Sequence, residues 1–204
     1  MELVKYNNNS ISSVTALDSM ASGSMVLLNT NTISSGVSSS SFTSNIDSTY
    51  DTYMFKFINM HPATNNAHFT FQGSTNGGSS YGVTITSSAF STEHNEADSS
   101  TDLSYQTSVD LAQSTGYQRI TSSNENDNDN AAVATLFLFN PSSTTFVKHF
   151  IITGNTVAQA YTVGTYIAGY FNTTSAINAI DFKFSSGNID SGVIKMYGIS
   201  KSWV

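Results

Sequence analysis

Short runs of alternating apolar and polar residues dominate this chain, and clusters of Ser, Asn and Gly separate the runs. In one run Tyr53, Phe55 and Phe57 fall on one face of an extended backbone, while Lys56 falls on the other. Alternation with a period of two is typical of a β-strand with one buried and one solvated face, as in antiparallel sheets. The pattern therefore predicts an antiparallel β-protein.

Two later runs alternate in the same way. Phe146, Phe150 and Ile152 share a face, with Lys148 between them. In the other run, Ile180, Phe182 and Phe184 oppose Asp181 and Lys183. Strands are predicted at 24–30, 50–59, 67–72, 81–86, 131–140, 145–153, 161–171, 177–185 and 192–199.

Turn residues stand between several of these runs. Asn76-Gly77-Gly78 predicts a hairpin between the runs that end and begin on either side of it. Asn140-Pro141 separates two further runs. About nine short strands in a chain of 204 residues favour a two-sheet sandwich, jelly-roll-like or Ig-like, and an antiparallel jelly-roll-like sandwich is the fold predicted here.

The candidates for the buried core are aromatic residues on the apolar faces of these strands, because aromatic side chains bury the most area. They are Phe55, Phe57, Phe137, Phe139, Phe150, Phe182 and Phe184.

Two segments are predicted as additions to a sandwich domain that spans residues 21–204. Residues 1–20 are polar with scattered apolar side chains, which suits an extended N-terminal arm that docks on a neighbour. Residues 91–130 form an acidic insertion, and 102–113 within it fit either a short helix or an irregular loop. No run is long and apolar enough for a signal peptide or a membrane helix.

Composition narrows the classes of function. Charged residues are 10% of the chain, and the net charge is −7. Eight of the acidic residues lie between Glu93 and Asp129, together with the single base Arg119. Nucleic-acid binding requires clustered Lys and Arg, so nucleic acid and anionic membranes are excluded as expected partners.

Two acidic motifs have the residue types of metal sites. His94, Glu96 and Asp98 would point the same way on a strand, and the run from Asn124 to Asp129 is rich in oxygen ligands. The second motif lacks the Gly and Glu of an EF-hand loop, and solvated loops explain both motifs more simply. No metal and no cofactor is predicted.

Catalytic motifs are missing from the sequence. The chain has no cysteine, no Gly-x-Ser-x-Gly elbow and no phosphate-binding glycine loop. The four histidines, His61, His68, His94 and His149, share no metal-type spacing, and structural roles are expected for them. The prediction is a protein without enzymatic activity and without catalytic residues.

Several stretches resemble small β-rich proteins of marine tailed bacteriophages. They are 53–62, 110–116, 140–150, 168–177 and 185–199, and the likeness extends from about residue 11 to residue 199. This resemblance implies a structural protein of the virion, made in the host cytoplasm and displayed on the particle as a capsid decoration or a tail- or fibre-associated module.

Two non-enzymatic functions stay open from the sequence, and a third alternative, a depolymerase, would need paired carboxylates that only the segment 93–129 could supply. The first is the structural role, with other virion proteins of the capsid or tail as partners and assembly into a homo-oligomer, most simply a trimer. The alternative is a receptor- or carbohydrate-binding module of a fibre tip, which would bind a host surface glycan. Exposed aromatic residues clustered on one rim would favour the second function, and an arm buried in a capsid or tail protein would favour the first.

Overall fold

The computed structural model describes residues 25–199, and every regular element in this range is a β-strand. The predicted arm, 1–20, lies outside the described residues. The strands are β1 (Met25–Ile33), β2 (Ser40–Phe42), β3 (Thr52–Pro62), β4 (Ala67–Ser74), β5 (Ile85–Asn95), β6 (Thr101–Tyr105), β7 (Gln118–Asn124), β8 (Ala132–Phe139), β9 (Lys148–Ala158), β10 (Tyr161–Phe171), β11 (Ala179–Phe184) and β12 (Ile189–Ile199).

The strands form two antiparallel sheets. The larger sheet has the order β1-β12-β3-β8-β9-β10-β5-β6, and the smaller has the order β2-β11-β4-β7. Without β5, β6, β9 and β10, the remaining two sheets, β1-β12-β3-β8 and β2-β11-β4-β7, have the strand order of a jelly roll. The predicted antiparallel two-sheet sandwich of jelly-roll type is therefore confirmed.

Four strands extend the larger sheet beyond the jelly roll. The hairpin β9–β10 pairs with β8, and β5 and β6 continue the sheet on the far side of β10. The smaller sheet has four strands, so it faces only part of this eight-stranded layer. Another part of the chain must therefore cover the inner side of the four added strands, β9, β10, β5 and β6.

Residues 106–117 provide part of that cover. The backbone N–H of Gln106 donates to the carbonyl of Ala89 (2.9 Å), and the N–H of Leu111 donates to the hydroxyl of Ser87 (2.9 Å). Val109 is buried in the core, and Leu111 packs against it. Backbone bonds between Ile85 and Ser114 continue the contact, so the connection runs along the edge of β5 beyond β6, and its Val109 and Leu111 side chains turn inward to the core.

The two ends of the described chain are neighbours. β1 and β12 pair antiparallel at one edge of the larger sheet, with Met25 opposite Ile199. The chain therefore enters and leaves the domain at the same edge, and β6 is the opposite edge.

An aromatic cluster joins the two sheets. Phe182 of the smaller sheet is fully buried, and its ring centroid lies 4.9 Å from that of Phe57 and 5.3 Å from that of Phe55, both in the larger sheet. Phe42 and Phe69 complete the contacts around Phe182. The predicted burial of Phe55, Phe57, Phe150, Phe182 and Phe184 is confirmed.

The predicted burial of Phe137 and Phe139 is wrong. Both point to the outer side of β8 and are partly exposed, while Leu136 and Leu138 lie in the core. The reason is the volume already present on β3. Leu138 lies opposite the inward Tyr53, Leu136 opposite Phe55 and Ala134 opposite Phe57. Smaller side chains therefore fill the inner face of β8.

The face predicted around Lys148 is partly wrong. Phe146 precedes β9 and is 69% exposed, so it does not join Phe150 and Ile152. Lys148 does share their inward side and is fully buried. Its ammonium group donates to the carbonyls of Phe146 (2.9 Å) and Thr173 (3.1 Å), and burial lowers its pKa.

The predicted hairpin at Asn76-Gly77-Gly78 is also wrong. The turn leaves β4 in the smaller sheet, and the next strand, β5, starts at Ile85 in the larger sheet, so the connection crosses between the layers. Ser74 and Asn76 side chains bond locally within the turn (2.7 Å). The Asn140-Pro141 turn does join the paired strands β8 and β9.

The acidic segment 91–130 contributes to both sheets. It contains the end of β5, the edge strand β6 and β7 of the smaller sheet. Residues 102–113 form neither a helix nor a wholly irregular loop, because they start in β6 and continue into a turn in which the carbonyl of Gln106 accepts from Val109 and Asp110.

Truncation of Phe182 tests the packing between the sheets. Phe182→Ala should reduce the free energy of unfolding by about 3–5 kcal/mol, because it leaves a cavity among four aromatic rings. Phe137→Ala is the matched control and should cost much less, since Phe137 is partly exposed. Urea denaturation measures both, and equal losses would contradict the assigned faces.

Candidate binding surface

One row of side chains crosses all eight strands on the outer face of the larger sheet. Directly paired residues of an antiparallel sheet share a face. The successive pairings place Thr30, Lys195, Lys56, Thr135, Thr153, Tyr166, Phe90 and Tyr105 in this row. We call it the outer row. It has lysines towards one end, threonines in the middle and aromatic residues at the other end.

The aromatic end of the outer row is open to solvent. The rings of Phe90 and Tyr166 are stacked, with centroids 4.9 Å apart and an interplanar angle of 11°. Phe90 is 45% exposed, Tyr166 is 39% exposed and Tyr105 is 56% exposed. Clustered exposed rings of this kind mark a contact surface.

A shallow groove runs along the middle of the row. Its larger part has a volume of about 450 Å³ and includes Lys56, Ile58, Val133 and Thr135. A smaller part of about 190 Å³ includes Phe90 and Ile151. Thr153 and Tyr166 line both parts, which makes the two continuous. The larger volume is within the range of about 300–1,000 Å³ that is typical of ligand sites.

Positive charge accumulates at the lysine end. Lys56 and Lys195 lie directly opposite each other on β3 and β12. The ion pairs among the described residues involve His61 and His94, and neither lysine takes part in one. Like charges in directly opposed positions repel each other. A bound anion would relieve this repulsion.

The nearest carboxylates of β5 and β6 point away from the outer row. Glu93 lies opposite Asp102, and the alternation along β5 puts Glu93 on the other side of the sheet from Phe90. The net charge of −7 therefore does not neutralise the lysine end locally. The outer face of this acidic protein carries a local positive patch.

A second polar cluster lies on the smaller sheet and is structural. Asp181 is 3% exposed and accepts hydrogen bonds from the hydroxyls of Ser41 (2.6 Å) and Tyr117 (2.9 Å). Burial, and then the charge of Asp181, raise the pKa of Tyr117 well above its usual value. The ammonium of Lys183 lies 4.0 Å from the centroid of the Tyr117 ring. A phenol that keeps its proton is a poor base or nucleophile, and the cluster holds β2, β11 and the start of β7 together.

The acidic motifs do not form a metal centre. Within residues 25–199, no three His, Cys, Asp or Glu side chains are grouped as metal ligands. In the first motif the Nε2 atom of His94 lies 3.0 Å from a carboxylate oxygen of Asp98, and both side chains are exposed. In the second, the Asn124 side chain is buried and accepts a hydrogen bond from Thr156 (2.6 Å).

The other histidines stand apart from the outer row. His61 contacts Asp190 (3.5 Å) and the carbonyl of Asp127 (3.1 Å). His68 is half-buried, and desolvation lowers its pKa, with the charge of Arg119 as the second cause. His149 packs beside Tyr170 at 6.0 Å between ring centroids. The structure brings none of the four histidines together.

Sequence reasoning missed Phe90, Tyr105 and Tyr166. One signal did point to this surface. The run 161–171 has no charged residue, which indicates either a central strand or an interface. β10 is a central strand, because it lies between β9 and β5, and it also exposes Tyr166 on its outer side.

No helix of the described chain has the length and apolar character that crossing a membrane requires. Comparisons of the chain with protein-family models, with curated proteins and with solved structures found no significant match.

The polar cluster predicts a response to alkaline pH. In the unfolded chain the phenol of Tyr117 ionises near pH 10, whereas the folded protein keeps it neutral to higher pH. The raised pKa therefore contributes stability that is complete below about pH 10 and is lost as the pH rises towards the folded-state pKa.

Tyr117→Phe removes this contribution. Between about pH 9 and pH 11, the free energy of unfolding should fall less steeply in the variant than in the wild type. Ser41→Ala, which removes the other hydrogen bond to Asp181 but no phenol, should keep the wild-type slope. Equal slopes for Tyr117→Phe and the wild type in urea denaturation would refute the assignment.

Proposed function

We propose that this chain is a non-enzymatic structural module on the surface of a bacteriophage particle, where it decorates the capsid or forms part of the tail or its fibres. The jelly-roll sandwich supports the proposal, since this architecture is common in viral capsid proteins. The sequence resemblance to phage β-rich proteins points the same way. The observation that carries it is the eight-stranded outer face with its exposed apolar side chains.

The non-enzymatic part of the proposal rests on the polar groups themselves. The buried carboxylate of Asp181 already accepts hydrogen bonds from the hydroxyls of Ser41 and Tyr117. The outer row consists of lysine, threonine and aromatic side chains, and the carboxylate that reaches it, Asp110, already accepts a hydrogen bond from Tyr105 (2.8 Å). Such a surface is suited to binding rather than to catalysis.

Association with the virion is tested on the particles themselves. Phage particles from a culture that produces this chain are banded in a density gradient, and each fraction is analysed by peptide mass spectrometry. The chain should band with the major capsid or tail proteins and remain after a second gradient. Recovery only in the soluble fractions would contradict the proposal.

We also propose that copies of the chain form a homo-oligomer, a trimer as the sequence resemblance implies, in which the β6 edge of each copy contacts a different surface of the next. Edge strands of monomers are usually protected by lysine, but β6 carries Leu103, which is 68% exposed, and no lysine. Pairing along this edge leaves the outer row free, because hydrogen bonds between strands lie in the plane of the sheet.

Light scattering measures this association. The purified chain should have a mass that is a multiple of 21.9 kDa, and Leu103→Lys should shift it towards the monomer. Val133→Lys, on the outer face, is the matched control and should leave the oligomer intact. A wild-type monomer at micromolar concentration would exclude self-association of the free chain.

A second function is favoured by a specific observation. Tyr166, supported by the stacked ring of Phe90, lines the groove beside threonine hydroxyls, and sugars stack on such rings through their apolar C–H faces. The chain would then be a receptor- or carbohydrate-binding module of a fibre tip. The two roles are compatible, since a displayed module can also bind the host.

A further inference from the structure

We infer that the outer row binds an acidic oligosaccharide, with a sugar ring on Tyr166, which the stacked Phe90 supports, and a carboxylate or sulfate group at Lys56. The inference rests on the second function proposed above and specifies its ligand. Four properties of the row support it: the aromatic platform, the free polar groups, the charge and the length.

The platform is already formed. Phe90 and Tyr166 lie on neighbouring strands in direct register, and their rings stack face to face with centroids 4.9 Å apart, so each ring fixes the other and turns its second face away from the pair. β5 and β10 pair over their whole length, which fixes the spacing of the two rings before any ligand arrives. Ligand binding therefore costs little conformational entropy of the protein, because the two rings are ordered beforehand.

Polar groups next to the platform have unused hydrogen-bonding capacity. The hydroxyls of Thr135 and Thr153 form no hydrogen bond with the described residues, and both line the groove. The amide of Asn155 donates to the hydroxyl of Thr162 (2.7 Å) and leaves its own oxygen as an acceptor. Hydroxyls and amides that both donate and accept match the hydroxyl groups of a sugar.

The charge distinguishes an acidic sugar from a neutral one. Lys56 lines the groove, and Lys195 reinforces its charge from the next strand. Neither lysine has a carboxylate partner among residues 25–199. Glu93 and Asp102 point to the other side of the sheet, and the carboxylate that reaches the row, Asp110, accepts a hydrogen bond from Tyr105 (2.8 Å) at the end far from Lys56. The electrostatic match is therefore with a negatively charged group.

The length of the row indicates a chain of sugars. From Lys56 on β3 to Phe90 on β5, the row crosses four strand intervals, which at about 4.8 Å each amount to roughly 19 Å. A single monosaccharide cannot reach both the lysine end and the aromatic end. An oligosaccharide that lies across the strands can contact both.

A protein partner is the competing occupant of this surface. Ile58, Val133 and Ile151 are exposed beside the row and would suit an apolar interface. A protein interface, however, would bury Lys56 and the two threonine hydroxyls, which requires matching groups on the partner. Sugar hydroxyls and an acidic substituent satisfy these groups directly, which favours the glycan.

Calorimetry on the purified full chain tests the inference. Three hexasaccharides serve as probes: an oligogalacturonate, which carries carboxylates, a sulfated oligogalactan and neutral maltohexaose. At least one acidic hexasaccharide should bind about tenfold or more tightly than maltohexaose, and the difference should shrink at high salt. The two acidic probes distinguish carboxylate from sulfate as the preferred group.

Two variants locate the site. Lys56→Gln should lower the affinity for the acidic probe by about tenfold, towards that for maltohexaose. Tyr166→Ala should weaken binding of all probes, since it removes half of the platform. Phe146→Ala, an exposed ring outside the row, and Lys183→Gln, on the smaller sheet, are the matched controls and should bind as the wild type does. Circular dichroism verifies that each variant is folded.

Three results would overturn the inference. One is binding of no probe, another is equal affinity for acidic and neutral probes, and the third is unchanged affinity in folded Tyr166→Ala. A wild-type oligomer that dissociates on Tyr166→Ala would likewise show that a second copy occupies the face. None of these results affects the particle-association experiment, so failure of the glycan site and failure of the virion role remain distinguishable.

Discussion

Packing of Phe182 between the two sheets is the contact on which the rest of the structure depends. It requires Phe55 and Phe57 of β3 to point inward, and the period of two along a strand then forces Lys56 outward. Because directly paired residues share a face, the outward orientation of Lys56 extends across the sheet to β10 and β5, where Tyr166 and Phe90 face solvent. A slip of one residue would bury the outer row and expose the core.

The sequence predicts inward and outward sides well where only one side of a strand is apolar. Phe182 was assigned correctly because charged residues flank it on the opposite side of β11. β8 has apolar residues on both sides, so alternation alone could not decide between Leu136 and Phe137. The choice depends on volume across the strand pair, since Phe55 opposite Leu136 fills the space that a second phenylalanine would need.

The outer row could not be predicted from the sequence, for a different reason. The outer row joins residues as distant in sequence as Thr30 and Lys195, and only strand order and register bring them together. Phe90 also precedes a segment, 91–130, whose composition indicates an acidic loop, although its strands belong to both sheets. The composition of such a segment indicates its solubility, but it does not indicate which strands the segment forms or what they pair with.

Met25 and Ile199 lie opposite each other, so the two ends of the described chain are at one edge of the larger sheet. Both lie at the β1 edge, whereas the aromatic end of the outer row lies at the β6 edge, seven strand intervals and about 34 Å away across the sheet. A label attached at Met25 or at Ile199 itself is therefore expected on the far side of the sheet from Phe90 and Tyr105. The larger sheet therefore has the two ends of the described chain at one edge and its exposed aromatic rings near the other.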